Sequence, residues 1–178
     1  ASLLVLLMDT VEGNFSASSL QSLLSHPLAR FGFDREHFST TARNIEVALF
    51  RSLPMIHGLE GLLPSFERAF SKTKTESHLH PLVVRLEESD WHGMRDCLMR
   101  VVEVLGPLSH RSVASFVDNL DGLISVAEKI AGDGFWDGSE VEELETLFET
   151  LRQESFRLPN CNFARASATI RQHLQKIP

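Results

Sequence analysis

The strongest indication of fold class lies in residues 113–130, which read VASFVDNLDGLISVAEKI. Their apolar side chains recur every three or four residues, which is the spacing of one face of an α-helix and not the alternation of a strand. This face comprises Val113, Phe116, Val117, Leu120, Leu123, Ile124, Ala127 and Ile130. Gly132 and Gly134 follow, and glycine is common just past a helix end. The stretch therefore predicts an amphipathic helix of about five turns.

The same spacing extends to both sides of this stretch. Downstream it predicts two more helices, one capped by Asp137 or Ser139 and one that begins near Phe163. Upstream, serine or aspartate marks the expected helix starts, and glycine or proline marks the ends. The upstream markers are Gly13, the serine-rich stretch 16–19, Pro27, Asp34 or Ser39, Pro54 and Gly58.

Between these helices the sequence predicts one long helix and one long loop. The helix runs from about Leu82 to Leu105 and is expected to end at Gly106-Pro107. Residues 71–80 are polar and show no periodicity, so they predict a loop. The total is about eight helices with no convincing strand and no repeat of fixed period. The predicted fold is all-α, a single domain over residues 1–178 in a non-repeat helical array.

Composition and charge narrow the classes of function. The 178 residues are 43% hydrophobic and 23% charged, which is typical of a globular domain. A net charge of −7 argues against binding nucleic acid over the whole surface, because phosphates attract cations; a local basic patch stays possible. No segment approaches the ~20 apolar residues of a membrane span. Cys97 and Cys161 predict reduced thiols in the cytoplasm, and a start at Ala1 without Met predicts a fragment of a larger protein.

Motifs that carry catalysis are absent from the sequence. It contains no G-x-x-x-x-G-K-[ST], no G-x-G-x-x-G and no G-x-S-x-G. His78, His80, Glu88 and His92 could form a metal-dependent enzyme site, but a partner motif such as the Glu-x-x-His of a di-iron bundle is missing. We therefore expect no catalytic, metal or cofactor-binding residue in this domain, with the metal-dependent enzyme as an alternative.

Residues 26–51 form a mixed-charge segment that is a candidate contact surface. Its four arginines are Arg30, Arg35, Arg43 and Arg51. Asp34, Glu36 and Glu46 nearly balance them, so ion pairs within the chain are the favoured use. Contact with DNA phosphates or a partner is the alternative.

The order of several short motifs resembles a known family. The phrase LLSHPLARFG (23–32) is followed by ARNIE (42–46), then Arg51, Pro54 and GLEGL (58–62). FWDG (135–138) and a last helix over 163–177 come later. This series resembles the AddB-type subunit of bacterial AddAB (RecBCD-like) helicase–nucleases, especially the alphaproteobacterial branch.

The resemblance implies a function in DNA repair and recombination at double-strand breaks. By position, the segment is similar to the helical 2B-like insertion of an inactivated superfamily 1 helicase. Its implied partners are an AddA-like helicase–nuclease subunit and duplex DNA in the bacterial cytoplasm. The family's ATP-binding and nuclease motifs do not occur here, so no catalytic residue is transferred. Pro27 and Trp136 are expected to be packing anchors, and the isolated domain is expected to be a monomer.

A different class of function stays open beside this one. Amphipathic helices also build free-standing interaction modules, which bind a partner helix in an apolar groove. A native reading frame that ends near Pro178 would favour such a module.

Overall fold

The computed structural model describes residues 1–51, 58–75, 80–109, 113–137, 141–155 and 159–175. Within these ranges the chain forms nine α-helices, and its only extended pairing is one isolated bridge, which confirms the all-α prediction. The helices are α1 (Ser2–Glu12), α2 (Ala17–Leu24), α3 (Arg35–Ile45), α4 (Leu62–Thr75), α5 (Pro81–Val84), α6 (Glu88–Ser109), α7 (Phe116–Ala131), α8 (Val141–Glu154) and α9 (Phe163–Leu174). A π-helical turn (Glu46–Phe50) continues α3, and 3-10 turns (Leu59–Gly61 and Gly132–Trp136) precede α4 and follow α7.

Helices α6 and α7 form the centre of the array. α7 packs against α1, α6, α8 and α9, and α6 also packs against α3 and α4. Leu120, Leu123, Ala127 and Ile130 of α7 are fully buried, as the apolar periodicity predicts. Burial of a leucine or isoleucine side chain contributes about 1.5–3 kcal/mol relative to exposure, so this face contributes substantially to stability.

The first and last helices lie side by side. Arg171 of α9 donates to Asp9 at 2.8 Å and to Glu12 at 3.4 Å, both on α1. Ser167 also hydrogen-bonds Glu12. Ser2 and Leu174 line one cavity, so the start of α1 lies beside the end of α9.

Side-chain caps begin several helices where the sequence indicates them. Ser16 caps α2, and Asp34 accepts the backbone N–H groups of Glu36 and His37 at 3.0 and 3.1 Å to cap α3. These hydrogen bonds stabilise the carboxylate, led by the one from His37, and lower the pKa of Asp34. Capping was predictable because it depends only on residues within one turn.

The predicted long helix from Leu82 to Leu105 is wrong at both ends. Residues 85–87 interrupt it, and the Asp90 carboxylate accepts the N–H of Glu87 at 2.9 Å where α6 begins. At the other end α6 continues through Pro107 to Ser109. Proline adopts helical φ and costs one hydrogen bond near the last turn, while burial of Leu108 favours continuation.

The predicted loop over residues 71–80 is wrong for its first half, because α4 continues to Thr75. Thr73 donates to the Phe70 carbonyl at 2.7 Å, and the Lys74 ammonium lies 4.5 Å from the centroid of the Phe70 ring. These local contacts stabilise the last turn despite its polar composition. Val113 is also misplaced by the prediction, since α7 begins at Phe116 and Val113 is exposed.

Candidate functional site

The phrase LLSHPLARFG forms the end of α2 and the connection from α2 to α3. The N–H groups of Arg30 and Phe31 both donate to the carbonyl of Ile130, at 2.8 and 2.9 Å, which attaches the connection to the end of α7. The ring of Phe31 is buried and stacks on Phe38 with centroids 5.7 Å apart. Pro27 is exposed, which corrects the packing role predicted for it. Its ring acts on the backbone by ending α2, and Phe31 is the buried anchor.

A cavity of about 270 Å³ lies between this connection and α3, and we call it the α2–α3 groove. Its apolar lining includes Leu24, Ala29, Phe38 and Ala42. Its polar lining consists of Ser25, His26, Ser39, Arg35, Arg43 and Glu46. Since ARNIE occupies residues 42–46, two of the resembling motifs line the same groove.

The four arginines differ in their ion pairs. Arg51 donates to Glu46 Oε1 through Nη2 at 2.8 Å and through Nε at 3.1 Å. Among the described residues, Arg30, Arg35 and Arg43 form no ion pair. The expectation of ion pairs within the chain is therefore confirmed for Arg51 and wrong for the other three. One nearby carboxylate, that of Asp34, is directed to the backbone N–H groups of α3 instead.

The exposed arginines share one side of α3. Arg35, Ser39 and Arg43 are each four residues apart, which places them on the same helix face. Arg35 and Arg43 are exposed and line the groove, whereas Arg30 is half-buried and does not line it. In the groove, Arg35 and Arg43 thus have no carboxylate partner among the described residues, and the carboxylate of Glu46 is already paired with Arg51.

His26 lies between the α2–α3 groove and a second cavity. Its Nδ1 accepts the N–H of Leu28 at 3.2 Å, so its proton is on Nε2, which lies 3.1 Å from Ser2 Oγ. Burial, and then the positive charge of the Ala1 amino group, lower the pKa of His26. The imidazole is therefore neutral at pH 7.

Trp136 joins α7 to α8. Its indole N–H donates to Glu128 Oε1 at 2.8 Å. Its ring meets the rings of Phe135 and Phe148 edge to face, with centroids 4.8 and 6.3 Å apart. Both the indole N–H and the aromatic ring of Trp136 thus make contacts within the fold.

Two of the histidines considered for a metal site make local contacts in the structure. His78 lies outside the described residues. His80 accepts the N–H of Leu82 at 3.3 Å and caps α5, and His92 Nδ1 lies 2.8 Å from the Glu88 carbonyl oxygen. In the part of the chain that the structure describes, no three His, Cys, Asp or Glu side chains are grouped as metal ligands.

The buried thiol of Cys97 is expected to be unreactive as a nucleophile at pH 7. Burial raises its pKa to about 12, so the thiolate fraction at pH 7 is negligible.

None of the described helices combines the length and hydropathy that a bilayer-spanning segment requires.

Two further cavities occur outside the α2–α3 groove. The larger, about 510 Å³, lies between α1 and α9 and is lined by the apolar side chains of Val5, Leu6 and Leu174. The smaller, about 140 Å³, is lined by Phe66, Phe70 and Trp91 between α4 and α6. In this cavity the ring centroids of Phe70 and Trp91 are 5.1 Å apart.

The sequence matches no protein-family model, and comparison with curated proteins and with solved structures gives no match either. Function must therefore be inferred from the motifs of the chain and from the surfaces that they build.

Proposed function

We propose that this chain is a non-catalytic helical accessory domain of an inactivated superfamily 1 helicase subunit similar to AddB. The parent assembly would be a bacterial helicase–nuclease that processes double-strand breaks in the cytoplasm. The domain would support assembly with an AddA-like subunit and guide duplex DNA.

One observation carries this proposal. The motifs LLSHPLARFG and ARNIE, which resemble the family in sequence and order, line a single groove. Arg35 and Arg43 face that groove without ion-pair partners among the described residues. A surface of this kind suits contact with phosphates, which arginine binds through paired N–H groups. DNA unwinding and cleavage would belong to other parts of the parent assembly, since their motifs are absent from this sequence.

The proposal can be tested by tagging the native protein that contains this segment. We expect an AddA-like subunit to co-purify, together with ATP-dependent degradation of linear duplex DNA. The reading frame should continue to a downstream Asp…Glu-x-Lys nuclease signature. A native protein that ends near Pro178 and purifies without a motor subunit would contradict the proposal.

A free-standing interaction module is the second candidate. The apolar lining of the cavity between α1 and α9 favours it, because such a groove can accept an amphipathic helix. The same purification separates the two candidates, since a module of this kind would bring down a partner unrelated to helicases.

A further inference from the structure

We infer that the α2–α3 groove binds the phosphodiester backbone of a DNA strand, with Arg35 and Arg43 on separate phosphates. The choice of DNA as the ligand rests on the proposed function. The site itself is argued from the charge and geometry of the groove.

The local charge of the groove is opposite to that of the chain. Glu46 is its carboxylate, and the hydrogen bonds from Arg51 at 2.8 and 3.1 Å balance its charge. Arg35 and Arg43 are left with two positive charges in a protein of net charge −7. Both side chains are exposed, so a bound phosphate would not have to displace an existing ion pair.

The spacing of Arg35 and Arg43 favours an extended ligand. Residues eight apart on a helix are separated by about 12 Å along its axis, since each residue adds about 1.5 Å. Each strand of duplex DNA has one phosphate per ~3.4 Å of its axis and also winds around that axis, so successive phosphates are further apart than this rise and the two arginines are set for separate, nearby phosphates of one strand.

Neutral donors lie between the two charges. Ser39 is four residues from each arginine on α3, and Ser25 lines the facing wall. Neither hydroxyl makes a side-chain hydrogen bond within the described ranges, so both are available to phosphate oxygens. The groove lining also includes the apolar side chains of Phe38 and Ala42, the imidazole of His26 and the carboxylate of Glu46.

The test is fluorescence anisotropy of a labelled 20-base-pair duplex, measured between 50 and 150 mM salt. We expect weak binding by the 178-residue chain, with a dissociation constant above the micromolar range at 150 mM salt. The double variant Arg35→Gln/Arg43→Gln should weaken binding at least about tenfold at 50 mM salt, since it removes charge-assisted hydrogen bonds. It should also flatten the slope of log K against log salt by about 1.8, or about 0.9 for each phosphate that is no longer neutralised.

The matched control is Arg152→Gln/Arg165→Gln, which removes the same charge from α8 and α9. Arg152 pairs with Asp121 at the surface, and such pairs add little stability, so folding should be unaffected. We expect less than a twofold change in affinity for this control. Equal loss in both double variants would show a general charge effect and would overturn the inference. Unchanged affinity in Arg35→Gln/Arg43→Gln, or no binding by the parent chain at 50 mM salt, would overturn it as well.

Sodium phosphate at matched ionic strength provides a third arm. If amide NMR signals of Ser39 and Arg43 shift with phosphate but not with the duplex, the groove is an ion site only and the inference fails. The proposed function can fail separately, because it requires an AddA-like partner in the native purification. Groove-dependent DNA binding without that partner would overturn the proposed function and leave the groove assignment standing.

Discussion

At the residue scale, two polar side chains hold connections between helices. Asn119 of α7 is fully buried, and its amide donates to the carbonyls of Ser115 at 3.0 Å and Cys161 at 3.3 Å. The second bond reinforces the isolated bridge between Ala114 and Cys161, just before α9. His26 holds the turn after α2 in the same way. The contacts of Asn119 with Cys161 and of His26 with Ser2 are not visible in sequence, because those partners are brought close only by the fold.

We expect Asn119→Leu to destabilise the protein by about 1–3 kcal/mol. The substitution removes the buried amide, so the carbonyl oxygens of Ser115 and Cys161 each lose one hydrogen-bond donor. Urea unfolding followed by circular dichroism measures the effect. Asn160→Leu, at an exposed position nearby, is the control and should stay within about 0.5 kcal/mol. Similar losses for the two variants would show that the buried amide has no special role.

Stability should fall on acidification partly through His26. The pKa of His26 is lowered in the native state, so the unfolded chain takes up the proton first as pH decreases. The stabilisation is therefore complete above the unfolded pKa of about 6.5 and is lost as pH falls toward the native pKa. We expect the urea midpoint of His26→Gln to change less between pH 7.5 and 5.5 than that of the parent. An equal change of midpoint in His26→Gln and in the parent would contradict this prediction.

At the element scale, two glycines differ in whether their position tolerates a side chain. Gly93 lies inside α6, and a Cβ added there would meet no neighbour within 4 Å. Gly58 precedes the 3-10 turn with φ of 75° and ψ of 156°, a conformation that essentially only glycine adopts. A Cβ on Gly58 would also collide with the Glu60 carboxylate.

We therefore expect Gly93→Ala to stabilise the protein by about 0.5–1 kcal/mol, because alanine loses less backbone entropy in a helix. Gly58→Ala should destabilise it by about 1–3 kcal/mol. Thermal and urea unfolding of the two variants provide the measurement. Destabilisation by Gly93→Ala would mean that α6 requires glycine for a reason not visible in its surroundings.

Helix existence was largely predictable from sequence, and helix ends were predictable only where local chemistry sets them. The caps at Ser16 and Asp34 depend on residues within one turn. The interruption before α6 depends on the carboxylate of Asp90, which also accepts a 3.4 Å hydrogen bond from Asn44 of α3. The continuation past Pro107 depends on the burial of Leu108. The bond between Glu87 and Asp90 is local, whereas the contact from Asn44 and the burial of Leu108 are tertiary and are not readable from one segment.

At the scale of the whole molecule, the candidate arginines were predictable from sequence but their arrangement was not. Charge balance predicted ion pairs for all four, yet only Arg51 has one within the described chain. The difference arises because ion pairing depends on side-chain direction, and Arg35 and Arg43 face a groove that two separate segments build. His26 in that groove carried no sequence signal beyond its place before a proline.

The antiparallel contact between α1 and α9, made by Arg171 with Asp9 and Glu12, has a mechanical consequence. Polypeptide leaving either of these helices departs from neighbouring points on one side of the array. If the chain is inserted in a longer protein, as proposed, both of its connections to that protein leave from this one side.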